Sequence, residues 1–226
     1  MKWIWIFALA ACGNEVDAQW QLDHDRVIAV RSTPPRIASG ETAALTGLVG
    51  QKGGPPVELD ATTAEVVSPS ALAGALTRQG TQWTVTAPPG DQLAAARAEL
   101  GLAGDAPVPL QLQLTYTDHA FVAFKTVYLG VHADNPVIAP ITINGGDGLA
   151  TADLVVPAET NVPLAIDVPE IDNVNWLSSC GTMHDFDIAR AYLRVEPDDP
   201  HAGDFALVVR DTQGGVFWHV WTIHTP

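Results

Sequence analysis

Short apolar stretches alternate with proline- and glycine-rich breaks along nearly the whole chain, and this spacing restricts the possible folds more than any other feature. In the first half the stretches are Val27–Val30, Ala43–Val49, Glu65–Val67, Gln82–Ala87, Pro109–Tyr116 and Ala120–Val131. In the second half they are Val137–Ile143, Leu154–Val156, Val162–Val168, Val174–Ser178, Ala191–Val195, Phe205–Arg210 and Val216–Ile223. Thr33-Pro34-Pro35, Gly53-Gly54-Pro55-Pro56, Pro88-Pro89-Gly90 and Gly104–Pro107 interrupt them. Runs rich in Val, Thr, Ile and aromatics between such breaks read as short strands, and this many at this spacing predict an all-β sandwich. Leu110, Leu112 and Leu114 alternate with Gln111, Gln113 and Thr115, the period of a sheet with one buried and one wet face.

One helix interrupts the pattern near 91–100. Asp91 reads as its N-cap, Leu93, Ala96 and Leu100 share a face, and Gly101 stops it. The polar break from Val131 to Pro136 marks a domain boundary, giving one sandwich over 20–132 and a second over 133–226. Asp211–Gly215 is a loop of hairpin length between the last two strands. With 47% apolar residues the chain can bury a sizeable core, which argues against global disorder.

Specific motifs in the second half narrow the fold further. Val174-Asn175-Trp176, Cys180-Gly181, Gly203-Asp204-Phe205 and Leu207–Asp211 ending in Gly214-Gly215 occur in that order. The set resembles a bacterial Ig-like or PKD-like domain, and Gln82–Pro88 is a weaker echo of the same group in the first half. The resemblance implies two tandem Ig-like β-sandwich domains with one short helical insertion in the first, and a core tryptophan at Trp176. With its Leu22–Val27 opening, the whole chain also resembles Gram-negative lipoproteins that bring no assigned activity. A shared fold does not by itself transfer a function.

The N-terminus carries an address. Met1-Lys2 precedes a nine-residue apolar run, Trp3–Ala11, followed by Cys12-Gly13-Asn14. Nine residues at about 1.5 Å each cannot span a hydrocarbon core of roughly 30 Å, so the segment reads as a secretory signal. Leu9-Ala10-Ala11-Cys12 resembles a bacterial lipobox. That resemblance implies removal of residues 1–11, covalent lipid on Cys12, a lipidated tether over 12–19, and a place in the cell envelope. Gly13 after the cysteine implies the outer membrane, with the periplasmic or surface face left open. The alternative is an ordinary signal cut after Ala18, in Val16-Asp17-Ala18, with Cys12 a bystander.

Charge excludes some partners. The formal net charge is −15, which opposes nucleic-acid binding, because that depends on Lys and Arg neutralising phosphates. It also opposes peripheral attachment to anionic lipid, so membrane association rests on the covalent anchor. Cys180 is the only cysteine besides Cys12. With Cys12 lipidated, no intrachain disulfide forms and stability must come from the core.

Clustered chemistry occurs once, over Ser178–Asp187. Cys180 with His184 as its base would be a thiol nucleophile, and His184, Asp185 and Asp187, with Cys180, would be mixed metal ligands. The simpler reading is a buried thiol in a loop leaving the third strand. Asp147, Asp167, Asp172 and Asp198-Asp199 could hold calcium through oxygen alone, although no Asp-x-Asp-x-Asp-Gly loop exists. His24 between Asp23 and Asp25 reads as a solvated turn. On the last strand Phe217, His219, Trp221 and Ile223 share one face, and Trp218, Val220 and Thr222 the other. A strand apolar on both faces must cover something beyond its own sandwich: the first domain, or a partner that Trp218, Trp221 and Phe217 would bind. The expected function is a non-catalytic binding, spacer or assembly module with an envelope protein or glycan partner. The alternatives are a thiol or metal enzyme at the Cys180–Asp187 loop and a carbohydrate- or wall-binding module.

Overall fold

The computed structural model describes residues 18–117 and 121–226. The expected leader over 1–11 and the expected lipidation site Cys12 lie outside the described residues. The first half contains β1 (Arg26–Thr33), β2 (Arg36–Ile37), β3 (Thr42–Gln51), β4 (Gly54–Leu59), β5 (Thr63–Ser68), β6 (Leu76–Gln79), β7 (Gln82–Thr86), α1 (Gly90–Leu100), β8 (Val108–Tyr116) and β9 (Phe121–Leu129). One sheet runs β1-β3-β7-β6 with β4 also paired to β3, and it faces a second sheet ordered β2-β9-β8-β5. Between them lie Ile37, Leu45, Val85, Leu110, Leu112 and Leu114, among others. The Leu110, Leu112, Leu114 face is the buried one, as the alternation predicts.

The second half contains β10 (Ile141–Ile143), β11 (Gly146–Asp147), β12 (Asp153–Val155), β13 (Val162–Ile166), β14 (Asn173–Ser178), β15 (Thr182–His184), β16 (Arg190–Arg194), β17 (Ala202–Arg210) and β18 (Val216–His224). Its sheets are ordered β11-β10-β13-β16-β15 and β12-β18-β17-β14. An aromatic spine fills its core: Trp176 stacks on Phe205 with centroids 5.8 Å apart, and Phe205 meets Trp221 at 5.4 Å. Trp176 is fully buried and satisfies its indole by donating to the Ile188 carbonyl at 3.1 Å, as a core tryptophan must. The chain is an all-β protein of two tandem Ig-like sandwiches.

Three local expectations change. Asp91 does not cap α1: the helix is led in by Pro89, whose carbonyl accepts the N–H groups of Gln92 and Leu93, so Asp91 already lies in the first turn. There its charge suits the helix dipole. Gly101 does end the helix, at φ 66°, a left-handed conformation that glycine adopts without a Cβ penalty. Gly53–Pro56, read as a break, opens strand β4. Its prolines fall where the β3–β4 register shifts, between the Val49–Val57 and Gln51–Gly54 pairs, where missing N–H donors are tolerated. The segment after Cys180 is not all loop, since β15 pairs with β16 through Thr182–Arg194, Met183–Leu193 and His184–Tyr192.

Residues 20–22, placed with the first sandwich by the sequence reading, also contact the second. Leu22 donates its N–H to the Ser178 carbonyl at 3.0 Å, and Ser178 donates to the Trp20 carbonyl at 3.0 Å. Trp20 packs on the second sandwich's core. This stretch belongs by its contacts to β14, although β1, which follows it, belongs to the first sandwich.

A third core joins the halves. Ile28 and Ala29 of β1, Leu48 of β3, Leu177 of β14, Ala206 and Val208 of β17, Val216 and Trp218 of β18, and Leu22 form one buried cluster. The two sandwiches, consecutive in sequence, are packed on each other in space through faces turned away from their own cores.

Candidate functional site

The Ser178–Asp187 segment is built for packing. Cys180 is 0% exposed, and its Sγ–H donates to the Pro200 carbonyl at 2.7 Å. Ser178 fixes the turn: its hydroxyl donates to the Cys180 carbonyl at 2.6 Å and accepts the Cys180 N–H at 3.1 Å. Burial first, then the negative charge of Asp199, push the thiol from its ordinary 9.0 up to about 11. On β15 Met183 points into the core, so His184 must point outward. It stacks on Tyr192 with centroids 4.3 Å apart. Thiol and imidazole therefore sit on opposite sides of the sheet, and the Cys180–His184 pair of the thiol-enzyme alternative does not form. Asp185 and Asp187 are exposed. Among the described residues no three His, Cys, Asp or Glu side chains gather closely enough to hold a metal ion. Of the calcium candidates, Asp147 accepts the Leu149 N–H at 2.9 Å and Asp199 the Glu196 N–H at 2.8 Å, each serving its own turn.

A thiol held near 11 exposes very little thiolate at neutral pH. In the Cys12→Ser chain, Cys180 should react with a maleimide about a hundredfold more slowly in the folded protein than in urea, from thiolate fraction alone. Stoichiometric labelling of the folded chain within minutes would contradict this placement.

The last strand divides between two cores. Trp221 and Ile223 are buried in the second sandwich, with Phe217 packed against it and the Trp221 indole donating to the Gly148 carbonyl at 2.7 Å. Trp218 and Val216 enter the third core, with Val220 packed on it. Of the two readings of this doubly apolar strand, the structure shows the packing one: the first sandwich covers the second face of β18, so Trp218 and Trp221 are buried and do not form an exposed binding surface with Phe217.

Polar and charged contacts gather between the halves. Trp218 is 7% exposed, and its indole donates to Glu58 Oε1 on β4 at 2.7 Å. The Arg31 guanidinium lies over its ring, 3.9 Å from the centroid, a cation–π contact. Asn135 bridges the halves, donating to the Ser32 carbonyl and accepting the Val216 N–H, both at 2.8 Å. Arg36 donates to the Gln213 carbonyl at 3.1 Å. The Asp211–Gly215 hairpin supplies the other side: Asp211 Oδ1 accepts the Gln213 and Gly215 N–H groups at 2.7 Å, and Gly214 takes φ 86°. That turn presents the Gly214 carbonyl to Lys125 Nζ at 2.5 Å. Lys125 is 7% exposed, and burial pulls its amine down to about 8, Asp211 opposing the shift and Arg210 adding to it.

Sequence reasoning did not single out Lys125, although it read Asp211–Gly215, which carries its acceptor Gly214, as a hairpin loop. One signal was available: Lys125 stands opposite Leu112, in the inward phase of an apolar strand, where a charge needs a special partner. Arg31, Glu58 and Arg210 give no such sign, being polar residues on partly wet strands.

No protein-family model matches the chain, and no curated protein does. Solved structures superpose only loosely. The N-terminal Ig1-2 module of Drosophila receptor protein tyrosine phosphatase DLAR matches at 9% identity over 88% of this chain and 98% of its own, with a TM-score of 0.31. Murine CEACAM1b matches at 12% identity over 88% and 100%, with a TM-score of 0.28. A nucleoside hydrolase-related protein from Saccharophagus degradans matches at 16% identity and a TM-score of 0.32, over 42% of this chain and 26% of its own length. Superpositions this loose add nothing about function, and the fold stands on the sheets themselves.

Proposed function

We propose that the chain is a lipid-anchored, non-catalytic binding or spacer module of the bacterial cell envelope, attached through Cys12 and held as a single rigid body. The observation that supports the spacer role is the third core: apolar packing through Ile28, Leu48, Leu177, Val208 and Trp218 holds the two sandwiches at a fixed angle. Domains joined only by a linker move relative to each other by default, whereas a large apolar interface suppresses that motion. A fixed angle is useful when one end is fastened and the other must present a surface at a set distance. The thiol-enzyme alternative needs a Cys180–His184 pair, which the fold separates, and the metal-enzyme alternative needs a ligand cluster that the described residues of the Cys180–Asp187 loop do not form.

Anchoring is tested at Cys12. Each buried acyl methylene contributes about 0.8 kcal/mol, so several acyl chains hold a protein in the bilayer essentially permanently. Cys12→Ser should leave the protein in the soluble fraction or unprocessed at its leader, with circular dichroism unchanged. A Cys12→Ser protein that is cleaved normally and still sediments with membranes would refute the lipid anchor.

A further inference from the structure

A cleft of about 250 Å³ opens where the N-terminal segment, β1, β14 and the end of β17 meet. Arg26, Arg210 and Asn175 line it, with Val27, Leu177 and Phe186 among its apolar walls. Arg26 donates its Nη2 to the carbonyls of Gln19, at 3.1 Å, and Gln21, at 2.5 Å, while its Nε is buried without a hydrogen-bond partner. Arg210 donates Nη1 to Asn175 Oδ1 and Nη2 to the Ile28 carbonyl, both at 2.6 Å.

Every one of these acceptors is neutral. Among the described residues no carboxylate lines the cleft. Among the described residues neither guanidinium forms an ion pair, in a chain with 26 acidic residues against 11 Lys and Arg. Dehydration holds both guanidiniums below their ordinary range, and Asp23, from outside the lining, only partly offsets this for Arg26. A guanidinium cannot escape that cost by losing its proton. A dehydrated charge is stabilised by an opposite charge that meets it with hydrogen bonds.

Two fixed cations from different elements therefore share one recess and retain unspent N–H donors. A phosphate group suits them better than a single carboxylate. It carries up to two negative charges, and its tetrahedral oxygens reach donors arriving from separate directions. The apolar walls suit the carbon side of an ester. We propose that this cleft binds the phosphate group of an anionic ligand, held between Arg26 and Arg210. The source is either a soluble phosphate or a lipid headgroup, and the inference does not depend on lipidation of Cys12.

The full-length chain in nonionic detergent is titrated calorimetrically with inorganic phosphate and, separately, with dihexanoyl phosphatidylglycerol below its micellar concentration. Saturable binding of either probe at one site is expected, with the lipid the tighter of the two for a headgroup site and inorganic phosphate at least as tight for a soluble ligand. Arg26→Gln and Arg210→Gln should each weaken binding about tenfold or more, the loss of one charge-assisted hydrogen-bonding group. Because Arg210 also ties β17 to β1, the charge-preserving Arg26→Lys and Arg210→Lys stand in where a glutamine variant does not fold, and should show a smaller loss. The proposal is overturned if neither probe binds at millimolar concentration, or if folded variants at both positions bind as tightly as the parent chain.

Discussion

Trp218→Ala is expected to lower the stability of the chain by about 3–5 kcal/mol, the range for deleting a buried tryptophan. The side chain fills the third core, and its loss also strands Glu58 without its indole donor and Arg31 without a ring to lie on. For a chain of this size that corresponds to a fall of roughly 6–20 °C in melting temperature. The shape of the transition should change as well. With the halves coupled through one core, the parent chain should melt in a single step, and the variant in two. Scanning calorimetry reads both quantities. A variant that melts in one step within a degree of the parent would show that Trp218 does not couple the sandwiches.

The second large effect belongs to Lys125. A folded-state value of about 8 against an ordinary 10.5 means the fold disfavours the charged amine. Those 2.5 units correspond to about 3 kcal/mol of penalty at neutral pH. The penalty is fully present below pH 8 and is relieved as pH rises from about 8 towards 10.5, because the folded state sheds its proton first. Stability should therefore climb over that window. Two groups act in the opposite sense further up: the Cys180 thiol, raised by burial, costs stability above about pH 9, and the Tyr116 phenol, also raised mainly by burial, above about pH 10. Between pH 8 and 9 the rise should belong to Lys125. Lys125→Met should abolish it and stabilise the chain at pH 7 by about 1–2 kcal/mol, the relieved charge outweighing the lost hydrogen bond to Gly214. Urea denaturation at pH 7, 8 and 9 checks both claims. Parallel pH profiles for parent and variant would show that the amine is not dehydrated as described.

The sandwich architecture was legible because most strands signal themselves locally. The alternation through Leu110–Thr115 marks a half-wet strand, and the doubly apolar Val216–Ile223 marks a strand with something on each side. The first domain was one of two candidates for the second side, but the residues that cover it were not legible. Trp218 meets Glu58 across 160 positions, and Arg210 meets Ile28 across 182, so no window of sequence contains both partners. The arginine cleft escaped for the same reason: each arginine looks like an ordinary strand-end residue until β1 and β17 are brought together. Strand β4 escaped because prolines announce a break in most settings, and only its edge position and register shift make Pro55 and Pro56 acceptable. His184 shows the limit of spacing as a signal. Four residues from a cysteine it suggests a catalytic pair, but a turn and a strand between them place one inside and the other outside.

Tension applied at the N-terminus takes an indirect route through this molecule. The chain enters alongside β14, with Trp20 set against the second sandwich and two hydrogen bonds between residues 20–22 and Ser178. Only afterwards does it turn into β1. A pull along that strand loads both bonds together, and it reaches the second sandwich before the first. Strain on the chain's front end thus passes first into the sequence-distal half, and through the shared core around Leu22 into the other. A protein fastened by its front end would in this way be gripped by its back.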